Sequence, residues 1–231
     1  MHNSKNIKVS KVILDPSRGE HNILSNQFIW RTKKEFVGEN EVVIMDNYNA
    51  VWWNRPLNSD ILCKKESDGL YSYNLPFLNA LTGGTDFYKT KYNILLNKNS
   101  IPCAAHIKLD DTWTEEQKQL LNQMFYYCIY HTLIELCVSE EELSRPRNDI
   151  LFRNKKFVGG EKAFIDNVFT EDLVITLQVL PEKDIFDRLT GEYAHKRSIT
   201  GITEEIPSIT KDVFIDKLYD KIKAYVEEHF N

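Results

Sequence analysis

Residues 147–161, RNDILFRNKKFVGGE, decide the fold that we predict for this chain. Ile150 and Phe152 alternate with polar neighbours, which is the period of a half-buried strand. The residues at 153–155 are types that favour a turn, and an extended run restarts at 156–158. The pattern therefore predicts a β-hairpin, and the other elements can be placed around it.

The predicted hairpin gathers residue types that suit a phosphate or a carboxylate. Asn148 and Asp149 begin it, Lys156 starts its second strand, and Gly159 and Gly160 close it at a strand end. A carboxylate can hold a divalent cation, a lysine can neutralise phosphoryl oxygens, and adjacent glycines let a ligand approach the backbone. The same residues also fit a surface hairpin with solvated charges, because single short motifs produce many false positives.

The composition is that of a globular protein without a basic surface. Of the 231 residues, 42% are hydrophobic, which is enough for a substantial core. The net charge of −5 and the pI of about 5.7 predict no nucleic-acid partner. The four cysteines form no C-x-x-C pair, so we expect a reducing compartment. With no apolar leader and no membrane-length apolar run, the sequence predicts a cytoplasmic protein with no membrane partner.

Several other segments have clear patterns. Positions 42–45 and 101–109 are runs typical of buried strands. Thr114 and Gln117 form a capping box ahead of a helix, and Thr210 is placed to cap a second helix near the end of the chain. The apolar positions that recur at helical spacing are Leu121, Met124, Phe125, Cys128, Thr132 and Leu136 in the first helix, and Phe214, Leu218, Ile222 and Tyr225 in the second.

No repeat, linker or low-complexity segment divides the chain. We therefore expect an N-terminal arm at residues 1–14 and a single domain at 15–231. We also expect no C-terminal accessory domain after the predicted last helix.

The order of these motifs resembles that of the lipoate–protein ligases, which share a catalytic fold with the biotin–protein ligases. That family has G-R-N-D ahead of a hairpin whose second strand carries K-[IV]-[SA]-G-[SN]-A. Asn148, Asp149, Lys156 and Gly159 match these motifs in order. Pro146 stands where the family usually has glycine.

An earlier segment extends the resemblance. The family has two arginines, a glycine-rich loop and then H-D-x-G-N before a strand. Gly83, Gly84 and Asn93 match that order, and Thr85 takes the place of a third glycine. The chain also has G-I-T from Gly201 onward, as the family has before its last helix.

This segment also departs from the family pattern. Asn79 and Ala80 stand where the two arginines would be, and Lys89 stands at the histidine position. Phosphate or carboxylate binding would then need another cation, and Lys89 is the nearest candidate in the sequence.

The resemblance implies an α+β fold in which helices pack on a mixed, largely antiparallel sheet. It implies ATP-dependent activation of lipoate or a similar carboxylic acid, followed by acyl transfer to a lysine of a lipoyl domain or similar acceptor. Lys156 would be the catalytic lysine, and Asp149 would hold Mg²⁺. The residues expected to contact substrate or nucleotide are Gly83, Gly84, Thr85, Lys89, Asn93, Asn148, Gly159 and Gly160.

Two other functions stay open. An octanoyl or lipoyl transferase of the same fold would use a thioester and no ATP, and Cys103 lies on a predicted strand near the glycine-rich segment. A buried packing role for Cys103 is the alternative. A non-catalytic relative that binds a ligand or a partner would have lost its chemistry together with the arginines.

Overall fold

The structure is a computed structural model that describes residues 5–14, 40–47, 51–53, 77–79, 95–96, 99–146, 149–165, 167–178 and 200–231. Its strands are β1 (Lys8–Leu14), β2 (Glu41–Asn47), β3 (Val51–Trp53), β4 (Phe77–Asn79), β5 (Leu95–Leu96), β6 (Ser100–Lys108), β7 (Leu143–Ser144), β8 (Asp149–Phe152), β9 (Lys155–Ile165) and β10 (Val168–Thr176). Its helices are α1 (Glu115–Glu135), α2 (Ile202–Glu205) and α3 (Lys211–His229), with a 3₁₀ turn at Glu140–Glu142.

The main sheet has the strand order β1-β2-β6-β10-β9-β8-β7. Its β1–β2 pair is parallel, and the remaining neighbours are antiparallel. A smaller sheet has the order β4-β3-β5 and also mixes the two directions. The predicted α+β class, with a mixed and largely antiparallel sheet, is confirmed.

Helices α1 and α3 pack together on one face of the main sheet, where the hydrophobic core lies. Alternate residues of β6 belong to this core. We call this side the helix face and the opposite side of the same strands the far face. The helix-face residues of β6 are Ile101, Cys103, Ala105 and Ile107.

Helix α1 begins as the sequence predicts. The Gln117 amide donates to Thr114 Oγ1 at 3.1 Å, and the Thr114 amide donates to Gln117 Oε1 at 3.2 Å, which completes the capping box. Met124 and Phe125 are 0% exposed, so the predicted apolar stripe does pack on the sheet.

Helix α3 also follows its predicted pattern. Thr210 Oγ1 accepts a hydrogen bond from the amide of Val213 at the helix start. The stripe that contains Phe214 and Leu218 is buried in the core. The Tyr225 hydroxyl donates to the carbonyl of Leu120 at 2.9 Å, which joins α3 to α1.

The N-terminal stretch takes part in the main sheet. Of the predicted arm at 1–14, Lys8–Leu14 is β1 and pairs along the whole of β2. The amide of Lys5 donates to the carbonyl of Phe230 at 2.8 Å, so the first described residues are tied to the end of α3. Of the helices described, none is both long enough and apolar enough to cross a membrane.

Candidate functional site

The predicted hairpin forms from β8 and β9. Arg153 and Asn154 make its two-residue turn with φ values of 48° and 65°. Positive φ at both positions is the mark of a type I′ turn, whose twist suits an antiparallel pair. Lys155 already pairs with Phe152, so the turn is one residue shorter than the predicted 153–155.

A β-bulge in β9 decides which way the hairpin residues point. The register shifts between Ile150 and Leu151, so that Ile150 opposes Val158 whereas Leu151 opposes Lys156. Phe157 is the extra residue, and both Phe157 and Val158 lie in the core on the helix face. In a regular strand, residues three apart point to opposite faces. The bulge instead places Lys156 and a residue three positions later on the same far face.

That residue is Gly159, and Lys156 lies across it. Lys156 Nζ is 2.8 Å from Asp149 Oδ1, and the side chains are 34% and 24% exposed. A Cβ built at Gly159 would lie 2.5 Å from Lys156 Nζ and 3.6 Å from Asp149 Oδ1. Only glycine therefore leaves room for the lysine in this position, and the lysine side chain stays partly exposed.

The neighbouring glycine has a different structural reason. A Cβ at Gly160 would lie 2.7 Å from both the carbonyl oxygen of Asp172 and Cβ of Leu173 on β10. Gly160 thus allows a close approach between β9 and β10. The prediction that the glycine pair closes the hairpin at a strand end is wrong, because β9 continues through both glycines to Ile165. Pairing of residues 158–165 along β10 keeps the strand extended there.

The segment that carries G-I-T is hydrogen-bonded to the hairpin. The amide of Thr200 donates to the carbonyl of Lys156 at 2.9 Å, and Thr200 Oγ1 donates to Glu205 Oε1 at 2.9 Å. Lys155 Nζ donates to the same carboxylate oxygen at 2.6 Å, and Arg153 lies 3.4 Å from the other oxygen. These hydrogen bonds from Lys155 and Thr200 lower the pKa of Glu205. We call residues 200–205 the clasp.

Sequence reasoning did not single out Glu205. The only trace of it was an acidic pair directly after G-I-T, and nothing in the pattern connected that pair with the hairpin turn. Lys155 and Lys156 are consecutive in β9 and have different partners: Lys155 pairs with Glu205, and Lys156 pairs with Asp149.

The structure brings together Lys156, Asp149, Gly159 and Gly160. The other predicted substrate and nucleotide contacts lie outside the described residues, and their roles stay predictions. These are Gly83, Gly84, Thr85, Lys89, Asn93 and Asn148.

Cys103 lies on the other side of the sheet from this site. Its side chain is 0% exposed on the helix face, within the core. Burial raises the pKa of the thiol, and the nearby Glu171 carboxyl raises it further. Because the thiolate is the reactive form, this environment fits a packing role and does not favour a nucleophile.

The site around Asp149 offers few ligands for a bound Mg²⁺. The described residues contain no group of three or more His, Cys, Asp or Glu side chains that could hold a metal ion. Asp149 is a single carboxylate beside an ammonium group. One carboxylate together with phosphate oxygens is a usual set for Mg²⁺ that arrives with a nucleotide, so Asp149 fits that kind of site and not a resident metal cage.

No protein-family model matches the sequence, and no curated protein matches it significantly. Solved structures do match. LipL1 of P. falciparum in complex with lipoate has a TM-score of 0.56 at 13% identity, over 96% of this chain and 63% of that one. The chain thus spans less than two thirds of the length of that protein.

Two other structures match over nearly their whole length. A bipartite lipoate–protein ligase of Thermoplasma acidophilum, studied with its E2 lipoyl domain, has a TM-score of 0.55 at 10% identity, over 97% of this chain and 92% of that one. Lipoate–protein ligase A bound with ATP has a TM-score of 0.53 at 10% identity, over 99% and 94%. Identities this low establish the fold alone. The chain has the catalytic fold of the lipoate–protein ligases, as the hairpin motifs indicated.

Proposed function

We propose that this protein is a lipoate–protein ligase-like enzyme that activates a carboxylic acid with ATP and transfers the acyl group to a lysine of an acceptor protein. The observation that carries the proposal is the placement of Lys156 across Gly159, with its side chain partly exposed on the far face. Neighbours of the same fold are described with lipoate, with ATP and with a lipoyl domain. A lipoyl domain or a similar cytoplasmic protein is the proposed acceptor.

In the first step, a carboxylate oxygen of the acid attacks the α-phosphorus of ATP, and pyrophosphate leaves. Lys156 contacts the carboxylate and the α-phosphate and neutralises charge as it develops there. One preorganised donor of this kind contributes about 3 kcal/mol, or 10²–10³-fold in rate. In the second step, the amine of the acceptor lysine attacks the acyl carbonyl, AMP leaves, and the attacking nitrogen loses a proton. That step depends mainly on positioning.

Asp149 has two proposed roles. Its ion pair holds Lys156 over Gly159 before the acid binds. With the nucleotide present, Asp149 would hold the accompanying Mg²⁺, which offsets triphosphate charge. We assign the remaining predicted contacts with nucleotide or acid to Gly83, Gly84, Thr85, Lys89, Asn93, Asn148 and Gly160.

One observation favours a second candidate function. Asn79 and Ala80 replace the arginines that the resemblance would lead one to expect, so this chain has less positive charge for a triphosphate. A non-catalytic protein that binds an acid or an acyl-modified partner is therefore the alternative. The thioester-dependent transferase receives no such support, since Cys103 is buried on the helix face.

The test compares Lys156→Gln with Lys155→Gln in ATP–pyrophosphate exchange, using lipoate and other carboxylic acids and no acceptor protein. Gln keeps the reach and polarity of lysine but removes the charge. We expect Lys156→Gln to fold normally and to lose 10²–10³-fold in exchange rate. Lys155 is a matched control, because its ion pair with Glu205 is half-exposed and contributes at most about 1 kcal/mol.

Two results would contradict the proposal. Equal losses in both variants, or no loss in either, would show that Lys156 is not the catalytic lysine. If the unmodified protein exchanges pyrophosphate with none of the acids, the non-catalytic function is favoured.

A further inference from the structure

A cleft lies between the first turns of α1 and the end of the β9–β10 pair, on the helix face of the main sheet. Its volume is about 790 Å³, and its apolar lining includes Leu109 and Trp113, which are 7% and 6% exposed. The amide of Leu109 donates to the carbonyl of Asn167 at 2.7 Å, so the loop after β6 is fixed to the turn between β9 and β10. We call this space the α1 cleft.

Phe164 on β9 also lines the α1 cleft, and it is 51% exposed. It pairs with Phe169 on β10, and the two ring centroids are 5.0 Å apart. Because Phe169 is 0% exposed in the core, this contact holds the Phe164 ring in place. Covering the exposed part of the ring is favourable by about 25 cal/mol for each Å² of apolar surface. Phe164 is therefore a positioned apolar contact for a partner.

The lining of the α1 cleft is acidic. Asp110, Asp111, Glu115 and Lys118 supply three carboxylates and one ammonium group, a net charge of −2. Lys118 Nζ is 2.6 Å from Glu115 Oε1, so the remaining charge lies on the two aspartates. Hydrogen bonds from Thr112 lower the pKa of Asp110 and keep its carboxylate ionised at neutral pH. Among the described residues, no lysine, arginine or histidine nitrogen lies within 4 Å of the carboxylate oxygens of either aspartate.

Local structure accounts for only part of this charge. An acidic residue in the first turn stabilises a helix, which explains Glu115. The Lys5 ammonium group contributes to the low pKa of Asp110, but it lies over the Trp113 ring, 4.9 Å from the centroid, and does not line the α1 cleft. Neither explanation covers Asp111. The α1 cleft thus combines an exposed aromatic ring with negative charge that the described residues do not neutralise.

We propose that the α1 cleft is a docking site for a basic segment of another protein. A central apolar residue of that segment packs on Phe164, and flanking lysines or arginines face Asp110 and Asp111. An apolar centre with a polar rim is the usual anatomy of a protein interface, and positive charge complements this rim. A second copy of this chain is a poor occupant, because its net charge of −5 opposes the charge of the cleft.

The α1 cleft is remote from the proposed catalytic lysine. Phe164 is eight residues from Lys156 along β9, about 27 Å at 3.4 Å per residue, and it lies on the opposite face of the sheet. A segment bound in the cleft therefore leaves Lys156 open. The inference does not depend on the proposed function, and it is tested by binding alone.

The experiment measures the binding of three fluorescein-labelled pentapeptides by fluorescence anisotropy. The peptides are Lys-Lys-Phe-Lys-Lys, Lys-Lys-Ser-Lys-Lys and Glu-Glu-Phe-Glu-Glu. We expect the first to bind at least about tenfold more tightly than either of the others, and to bind more weakly as NaCl is raised from about 50 to 500 mM, because salt screens exposed charges.

Substitutions in the α1 cleft locate the bound peptide. Phe164→Ser should weaken binding of the first peptide about tenfold, and Asp111→Asn should weaken it about threefold, the scale of one exposed charge pair. Val213→Ser is the matched control, because it removes another exposed apolar side chain, 44% exposed at the start of α3, and should leave the affinity unchanged. Circular dichroism with thermal melting checks that the variants fold. If Phe164→Ser does not fold, Asp111→Asn, which keeps the shape of the side chain, gives the answer.

Several results would overturn the proposal. One is that the serine or the acidic peptide binds as tightly as the first, or that no binding is measurable at about 1 mM peptide. Another is that Phe164→Ser or Asp111→Asn folds and binds the first peptide as well as the unmodified protein does, since the peptide then binds elsewhere. Analytical ultracentrifugation tests the other occupant: a dimer of the unmodified chain that Phe164→Ser dissociates would show that a second copy covers the cleft.

Discussion

Replacing Gly159 with alanine adds one methyl group where Lys156 crosses β9. The new Cβ would lie 2.5 Å from Lys156 Nζ and closer still to Cε, so the end of the lysine side chain must move. Relief to an ordinary contact distance requires a shift of about 1 Å, and a misplacement of that size at a reacting centre can cost about 10²-fold in rate. The obstructing atoms are the far end of a flexible side chain, so the backbone can stay in place. We expect Gly159→Ala to change the free energy of unfolding by less than about 1 kcal/mol.

Gly160→Ala is the matched control, because the same methyl group meets a rigid obstacle one residue later. Its Cβ would lie 2.7 Å from the carbonyl oxygen of Asp172 and from Cβ of Leu173, so β9 and β10 must separate locally. We expect a loss of about 1–3 kcal/mol in the free energy of unfolding. Urea denaturation gives the stability of both variants, and ATP–pyrophosphate exchange gives their activity.

The two variants should lose different properties. Gly159→Ala should lose activity and keep its stability, whereas Gly160→Ala should lose stability. If Gly159→Ala keeps the full exchange rate, the position of the ammonium group over Gly159 does not matter for catalysis. If it unfolds as readily as Gly160→Ala, the explanation through a flexible side chain is refuted.

Three other outcomes follow from buried or paired groups. Glu205→Gln should reduce exchange about tenfold and change its pH profile, because the clasp holds the main chain of Lys156, while circular dichroism shows a folded protein. Burial raises the pKa of Glu171 to about 7 although Lys162 lies 3.5 Å away. The contribution of this carboxyl to stability is therefore present below its usual pKa and lost as pH rises through about 7, a loss of at most about 3 kcal/mol. Glu171→Gln should flatten the dependence of melting temperature on pH in that window. Phe125→Ala should lose about 3–5 kcal/mol in urea unfolding, since Phe125 is 0% exposed in the core.

Local patterns predicted the elements whose determinants are close together in the sequence. The capping box at Thr114 and the apolar spacing after it located α1, because both depend on residues within one or two helical turns. The hairpin was predicted for the same reason, since Ile150 and Phe152 alternate and turn residues follow. The order of motifs then indicated the fold, which the similarity to solved lipoate–protein ligases confirms.

Features that depend on pairing between distant residues were not predicted. Glu205 is 50 residues from Lys155, and only the folded chain shows that the two form an ion pair. The glycine pair was assigned to a strand end because local propensity disfavours glycine inside strands. Pairing along β10 overrides that preference at Gly160, where the close approach of Asp172 excludes any side chain.

The bulge shows how the core sets the face that Lys156 occupies. In β8, core residues alternate, whereas in β9 two consecutive residues, Phe157 and Val158, are both buried on the helix face. Burying each of these side chains contributes about 1.5–3 kcal/mol, while a partly exposed ion pair such as that of Lys156 with Asp149 contributes at most about 1 kcal/mol. Hydrophobic packing therefore outweighs the ion pair in holding the strand in this register. The register keeps Lys156 on the far face even when Asp149 is exchanged for a substrate carboxylate. That exchange needs little free energy, because the partly exposed ion pair with Asp149 contributes so little.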